Sequence, residues 1–140
     1  MEHSPLDPAA AQAILQAVGD ECPCVLRIPL NDEIWIKKAL DVGAAGIIVP
    51  QVNSAAEAER VVRWAKFPPQ GTRGVGVARA NAYGTGLAEY LSRANDEIAI
   101  IVQIESTAAV NAIDDIIKVD GVDAVFVGPY DLSSSMGKPG

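Results

Sequence analysis

Two carboxylates stand where burial makes a charge costly. Glu105 closes the apolar run "IIVQIES" (100–106), and Asp131 follows the apolar run in "VFVGPYDLSSSMG" (125–137). Gln103 lies two residues before Glu105, a spacing that puts both on one face of an extended strand. If the two runs are neighbouring parallel strands, Glu105 and Asp131 meet at one rim. Paired carboxylates in a partly dry site repel each other, and a divalent cation between them removes that cost. With substrate oxygens and water completing the shell, such a pair suits Mg²⁺ or Mn²⁺ better than a structural zinc. The alternative is structural: Glu105 as a helix N-terminal residue and Asp131 as a turn residue capping "LSSSM".

Other candidates are single residues. Arg27 sits in a mostly apolar run, where a guanidinium could hold a carboxylate or a developing enolate oxygen, or form a structural ion pair. Gln103 could donate to a substrate carbonyl or satisfy a neighbouring backbone group. His3, the sole histidine, is either a general base or an ordinary terminal residue. "GTRGVG" (71–76) lacks the Lys-Ser/Thr of a phosphate loop and does not open a helix after a strand, so no nucleotide is expected there. Arg73 and Arg79 read as solvated arginines, or as partners for an anion. Cys22 and Cys24 lack the Cys-x-x-Cys spacing of redox and zinc motifs and read as reduced thiols. Trp35 and Trp64, on helices, read as packing or subunit contacts.

These residues need elements to carry them. Apolar runs at 24–29, 46–52, 97–105 and 122–128 alternate with helical stretches at 8–18, 31–43, 54–67 and 106–119. Asn31 is the expected N-cap of the second stretch and Gly43 its stop, with Ile36, Ala39 and Leu40 forming its apolar stripe. Ser54 caps the third, with Glu57 at capping-box spacing. The fourth should bury Ala109, Ile113, Ile116 and Ile117. The strands are nearly continuous apolar runs, the pattern of strands covered on both faces, so an α/β fold with a parallel sheet and right-handed crossovers is expected. A long Gly- and Pro-containing connection (68–96) is the expected functional loop.

Composition narrows the class. The 140 residues suffice for one domain, 49% hydrophobic and 21% charged, and only 5% are aromatic, so Val, Ile, Leu and Ala must form the core. A net charge of −7 argues against a nucleic-acid partner but leaves room for a small anion held by one arginine. No apolar run reaches the ~18 residues of a membrane span. The opening "MEHSPLDPAA" does not read as a signal peptide, so a cytoplasmic setting is expected.

The segments "EHSP", "VLRIPLNDEIWIKKALDVGAAGIIVPQV", "FPPQGTRGVG", "RANAYGT", "VQIES" and "VDGVDAVFVGPYDLSSSMG" run along nearly the whole chain. Together they resemble the HpcH/HpaI family of class II, metal-dependent pyruvate aldolases. The branch most similar cleaves 2-keto-3-deoxy sugar acids such as 2-dehydro-3-deoxyglucarate, or 4-hydroxy-2-oxo-heptanedioate. The resemblance implies a (β/α)₈ barrel, of which this chain supplies about half, cut at both ends. It implies retro-aldol cleavage of a 4-hydroxy-2-keto acid to pyruvate and an aldehyde. Glu105 and Asp131 would bind Mg²⁺, Mn²⁺ or Co²⁺. Arg27 would contact pyruvate and its enolate, Gln103 would lie beside the keto acid, and His3 would be the acid/base. Backbone amides near Tyr130 and Asp131 would receive the carboxylate, and Asp41 matches an acidic position near the site. A homotrimer or homohexamer is also implied. No lysine ends a strand, so no Schiff base is expected. The family's acidic residue three positions before the histidine has no counterpart here. The rival expectation is a truncated, non-catalytic barrel that binds keto acids or oligomerises.

Overall fold

Apolar runs too short for helices and bounded by helical stretches must pair side by side and be covered by what lies between them. In the computed structural model, which describes residues 1–19 and 21–139, they do so. Four strands, β1 (Val25–Arg27), β2 (Gly46–Val49), β3 (Ala99–Ile104) and β4 (Ala124–Val127), form one sheet in the order β1-β2-β3-β4. Every pairing is parallel. The helices are α1 (Pro8–Val18), α2 (Glu33–Asp41), α3 (Ala55–Ala65), α4 (Leu87–Glu97), α5 (Thr107–Asn111), α6 (Ile113–Ile116) and α7 (Pro129–Ser135). No described helix is long and apolar enough to cross a membrane.

The strand period sorts the side chains. Ile47 and Val49 of β2, and Ile100, Val102 and Ile104 of β3, are fully or almost fully buried. They pack with Ile36, Ala39 and Leu40 of α2 and Ala58, Val61 and Ala65 of α3. Each fully buried Ile or Val contributes roughly 1.5–3 kcal/mol against leaving it in water. The register aligns Arg27 with Ile48 and Ile48 with Ile101, so Arg27 shares the other sheet face with Ile101 and hence Gln103. That face and the carboxyl ends of the strands position the site.

Helix starts follow their caps. Asp7 accepts from the Ala10 amide at 2.8 Å ahead of Pro8. Ser54 accepts from the Glu57 amide, and the Glu57 carboxylate reaches back to the Asn53 amide at 2.7 Å. Asp32, not Asn31, caps α2, accepting from the amides of Ile34 and Trp35. Both residues have cap chemistry, but only Asp32 sits one residue ahead of the first helical turn. Gly43 ends this unit at φ 92°, as its position suggested.

Two further expectations are corrected. The stretch after β3 is not one helix: it breaks at Ala112 into α5 and α6, and this turns Ile117 out to 53% exposure while Ala109 and Ile116 stay buried. β4 ends the described sheet, and its Val125, Phe126 and Val127 are exposed there. The long connection is not irregular throughout, since α4 fills its rear part.

Arg73 and Arg79 in that connection are structural. Arg73 is 3% exposed, pairs with Asp41 at 2.9 Å and donates to the Tyr90 hydroxyl at 3.0 Å. Its guanidinium also lies 4.5 Å from the centroid of the Phe67 ring. Arg79 donates to the carbonyls of Leu15 and Val42, the last turn of α1 and the end of α2. A cation there satisfies orphan carbonyls and opposes the negative ends of two helix dipoles. Trp35 and Trp64 are partly buried against the core.

Candidate active site

The connections leaving β2, β3 and β4 converge at the carboxyl rim of the sheet. A cavity of about 330 Å³ opens there, lined by Glu2, His3, Gln51, Asn53, Glu105, Ser106 and Asp131. Of the residues expected from sequence, Glu105, Asp131 and His3 line it directly. Arg27 joins through Glu2, whose Oε2 lies 3.1 Å from the Arg27 Nε.

Glu105 is the best-held group. It is 8% exposed. Its Oε1 accepts from the Gln51 amide at 2.6 Å, and its Oε2 accepts from the Gln103 side-chain amide. Donors from the turn after β2 and from β3 therefore fix both oxygens, and each oxygen keeps a second lone pair. Gln51 presents its amide from a left-handed backbone at φ 57°, unusual for a residue with a side chain. Strain of this kind persists where the surroundings over-determine it, often at sites. Asn53 holds the same turn by donating to the Gln51 carbonyl at 3.1 Å and accepting from the Ser106 hydroxyl. Ser106 also caps α5.

Gly128 lets the turn after β4 approach this pair. Its amide donates to the Ile104 carbonyl at 3.0 Å, extending the β3–β4 ladder to the rim. A Cβ there would lie 3.0 Å from the Gln103 side-chain nitrogen and 3.2 Å from Glu105 Oε2. The turn then enters α7, which carries Tyr130 and Asp131 in its first turn. Tyr130 is 79% exposed, and the Asp131 carboxylate has no hydrogen bond among the described residues. First-turn amides of a helix have no acceptor within it.

Gln103 is 1% exposed, spends its side-chain nitrogen on Glu105, and leaves its Oε1 without a partner among the described residues. His3 has a 63% exposed side chain, with Nε2 3.7 Å from Glu2 Oε2. Glu2, next to His3 in sequence, is thus an acidic neighbour of its imidazole. Burial raises the Glu2 carboxyl above its usual range; Arg27 pulls it back, Glu105 raises it further, and His3 and Asp131 add smaller opposing effects.

Asp41 does not join this cavity within the chain. A helix that follows a parallel strand runs back along it, so the last turn of α2 lies at the amino rim, where Asp41 pairs with Arg73. Sequence reasoning placed Gln51 only as the end of the second strand and missed Glu2 and Asn53. "EHSP" held the signal for Glu2, an acid beside the sole histidine; nothing in the letters marks Gln51 as left-handed.

The charge balance tests the divalent cation that the family resemblance implies. Three carboxylates, Glu2, Glu105 and Asp131, line the cavity and one guanidinium, Arg27, answers them. That leaves two negative charges, and an anionic keto acid would add more. A divalent cation offsets both. Among the described residues no group of three or more His, Cys, Asp or Glu forms an all-protein metal cage. Two carboxylates with the remaining positions open to water and substrate fit Mg²⁺ or Mn²⁺, which keep several such ligands.

Over residues 1–140 the chain matches the family model described as HpcH/HpaI aldolase/citrate lyase. It is 48% identical over 141 residues to the hydroxypyruvate/pyruvate aldolase of Sagittula stellata, a match covering 99% of this chain and 55% of that protein. It is 41% identical to the 5-keto-4-deoxy-D-glucarate aldolase of Escherichia coli, covering 99% of this chain and 55% of that protein. The crystal structure of an HpcH/HpaI aldolase/citrate lyase family protein from Burkholderia cenocepacia superposes with a TM-score of 0.95 at 37% identity, covering 100% of this chain and 57% of that one. The chain spans about half the length of the relatives it matches. The four-stranded sheet and its helices correspond to that share of the relatives' TIM barrel.

Proposed function

Because the chain belongs to the HpcH/HpaI aldolase/citrate lyase family, we propose that it carries the metal- and keto-acid-binding part of a carbon–carbon lyase. The reaction is cleavage of a 4-hydroxy-2-keto acid, of the 2-keto-3-deoxy sugar acid type, to pyruvate and an aldehyde in the cytoplasm. The observation that supports this best is that Glu105 and Asp131 line one cavity, with both oxygens of Glu105 already oriented by protein donors.

A divalent cation (Mg²⁺, Mn²⁺ or Co²⁺) held by Glu105 and Asp131 would supply Lewis-acid polarisation of the substrate's keto group. The chain's own residues do the rest. The backbone amides of Tyr130 and Asp131 receive the substrate carboxylate. Gln103 lies beside the keto acid and holds Glu105 in place. His3 takes the proton of the 4-hydroxyl at Nε2; the imidazolium so formed faces the Glu2 carboxylate at 3.7 Å. The C3–C4 bond breaks, its electron pair moves into the C2–C3 enolate, and C4 leaves as the aldehyde. Arg27 faces the developing negative charge on the C2 oxygen. Protonation at C3 then gives pyruvate.

The test is pyruvate release from a 2-keto-3-deoxy acid by the protein at its natural length, with each of the three cations. Glu105→Gln and Asp131→Asn should abolish both turnover and Mn²⁺ binding. Turnover that survives chelation, or survives both substitutions, overturns the metal reading. The rival reading is a keto-acid-binding or oligomerising module without turnover. Pyruvate and Mn²⁺ binding with no product formed would select it. A homotrimer or homohexamer goes with either reading and is measured by light scattering.

A further inference from the structure

Glu2 has no role in the chemistry described so far except as a neighbouring charge, yet it is the most constrained acid at the rim after Glu105. Its side chain is only 11% exposed. Its Oε2 is buried and makes no aligned hydrogen bond among the described residues, although it lies 3.1 Å from Arg27 Nε and 3.7 Å from His3 Nε2. It also lines the same cavity as Glu105 and Asp131. Burying a carboxylate among other carboxylates is unfavourable, so its position there has to be offset by what it touches. What it touches is the arginine.

The contact is made through Nε, which leaves the terminal Nη1 and Nη2 pair open for a two-pronged grip on another anion. An arginine recognises a carboxylate or an enolate with its terminal fork, and it needs that fork aimed. Arg27 is on the three-residue strand β1 with its side chain one-third exposed, and no other ion pair holds its head among the described residues. Left alone, its long stem would sample several rotamers and lose entropy on binding.

We propose that Glu2 is a positioning residue for Arg27: by occupying Nε it fixes the guanidinium plane and leaves both terminal nitrogens facing an anionic keto acid. The inference rests on the aldolase reading for what Arg27 binds. It assigns Glu2 no contact with substrate and no proton transfer. Glu2→Ala therefore weakens keto-acid binding through Arg27, and Glu2→Gln, which keeps a neutral acceptor for Nε, recovers most of that loss.

The experiment is a double-mutant cycle in the protein at its natural length, read by calorimetric binding of pyruvate with Mg²⁺ present and by kcat and KM. Mn²⁺ affinity and the urea midpoint are measured on every variant. Losing the ion pair that aims the guanidinium corresponds to roughly a fivefold to tenfold change. Glu2→Ala should weaken pyruvate binding and raise KM by about that much, with a smaller fall in kcat and unchanged Mn²⁺ affinity. In an Arg27→Met background the same change should do nearly nothing. Additive losses in the double variant, or unchanged pyruvate binding by Glu2→Ala, overturn the proposal. If Glu2→Ala fails to fold, Glu2→Gln carries the cycle, and its smaller loss must likewise vanish with Arg27→Met. Should Arg27→Met itself leave pyruvate binding intact, the aldolase assignment of Arg27 fails and takes the proposal with it.

Discussion

Replacing Gly128 by alanine adds one methyl group at the most crowded point of the rim. The backbone there has φ −95° and ψ 87°, a conformation alanine can take, so the effect is one of space and not of glycine's freedom. The new Cβ would lie 3.0 Å from the Gln103 nitrogen, 3.0 Å from the Glu105 Cβ and 3.2 Å from Glu105 Oε2. Comfortable separations are about 3.5–4.0 Å. Gln103 and Glu105 are 1% and 8% exposed, and both Glu105 oxygens are tied to donors. The carboxylate therefore has to shift by a few tenths of an ångström or break one of its bonds. Overpacking of this kind costs ~1–3 kcal/mol, which lowers the melting temperature by roughly 3–12 °C for a chain of this size. Disturbing the groups that orient a metal ligand costs about 10- to 100-fold in affinity. The assay is Mn²⁺ titration by calorimetry beside thermal unfolding in chelator, for wild type and Gly128→Ala. Unchanged values in both would show that the Gln103–Glu105 pair has slack the geometry denies. Lower melting with full Mn²⁺ affinity would remove Glu105 from the metal site.

Three further outcomes are expected. Asp41→Ala strands a buried guanidinium on Arg73 and should cost about 3 kcal/mol, the low end for breaking a buried pair because Asp41 is 26% exposed; urea unfolding should show that Arg73→Met with Asp41→Ala costs less than the two single changes summed. Gln51→Gly relieves a left-handed residue and should raise stability by about 1 kcal/mol, measured by the urea midpoint, and a lower midpoint would mean that the Gln51 side chain earns its conformation. The Glu2 carboxyl is raised by burial, so folding takes up a proton at this group. Its stabilisation is complete below the ordinary glutamate range and is lost as pH rises through its folded value. In chelator the urea midpoint should therefore carry a downward slope with pH above that range, and Glu2→Gln should flatten it.

Much of the frame was readable because local and global signals agree. Unbroken apolar runs such as "IIVQI" belong to strands between layers, and Ser54 with Glu57 marks a helix start wherever the helix packs. Parallel direction then puts the ends of those runs at one rim, which is why Glu105 and Asp131 could be picked out together. What escaped depends on contacts far apart in sequence. Arg73 and Asp41 are 32 residues apart and look like solvated charges until the connection folds back over α2. Glu2 meets Arg27 across the opening of the chain, and the left-handed turn at Gln51 has no marker residue. Within the chain Asp41 ends α2 and pairs with Arg73, a contact that no spacing in the letters announces. Ile117 failed for a local reason: the break at Ala112 changes the helical phase behind it.

Arg79 clasps the ends of α1 and α2 at the amino rim, and Arg73 is sealed beneath Phe67 and Tyr90 on the same side. The cavity with its acids opens at the other. Cohesion and reactivity are thus quartered at opposite poles of the sheet. A substitution among Glu2, His3, Gln51 or Asp131 leaves the clasp untouched, so the reactive pole can be rewritten for a new substrate while the architecture that bears it stays in place.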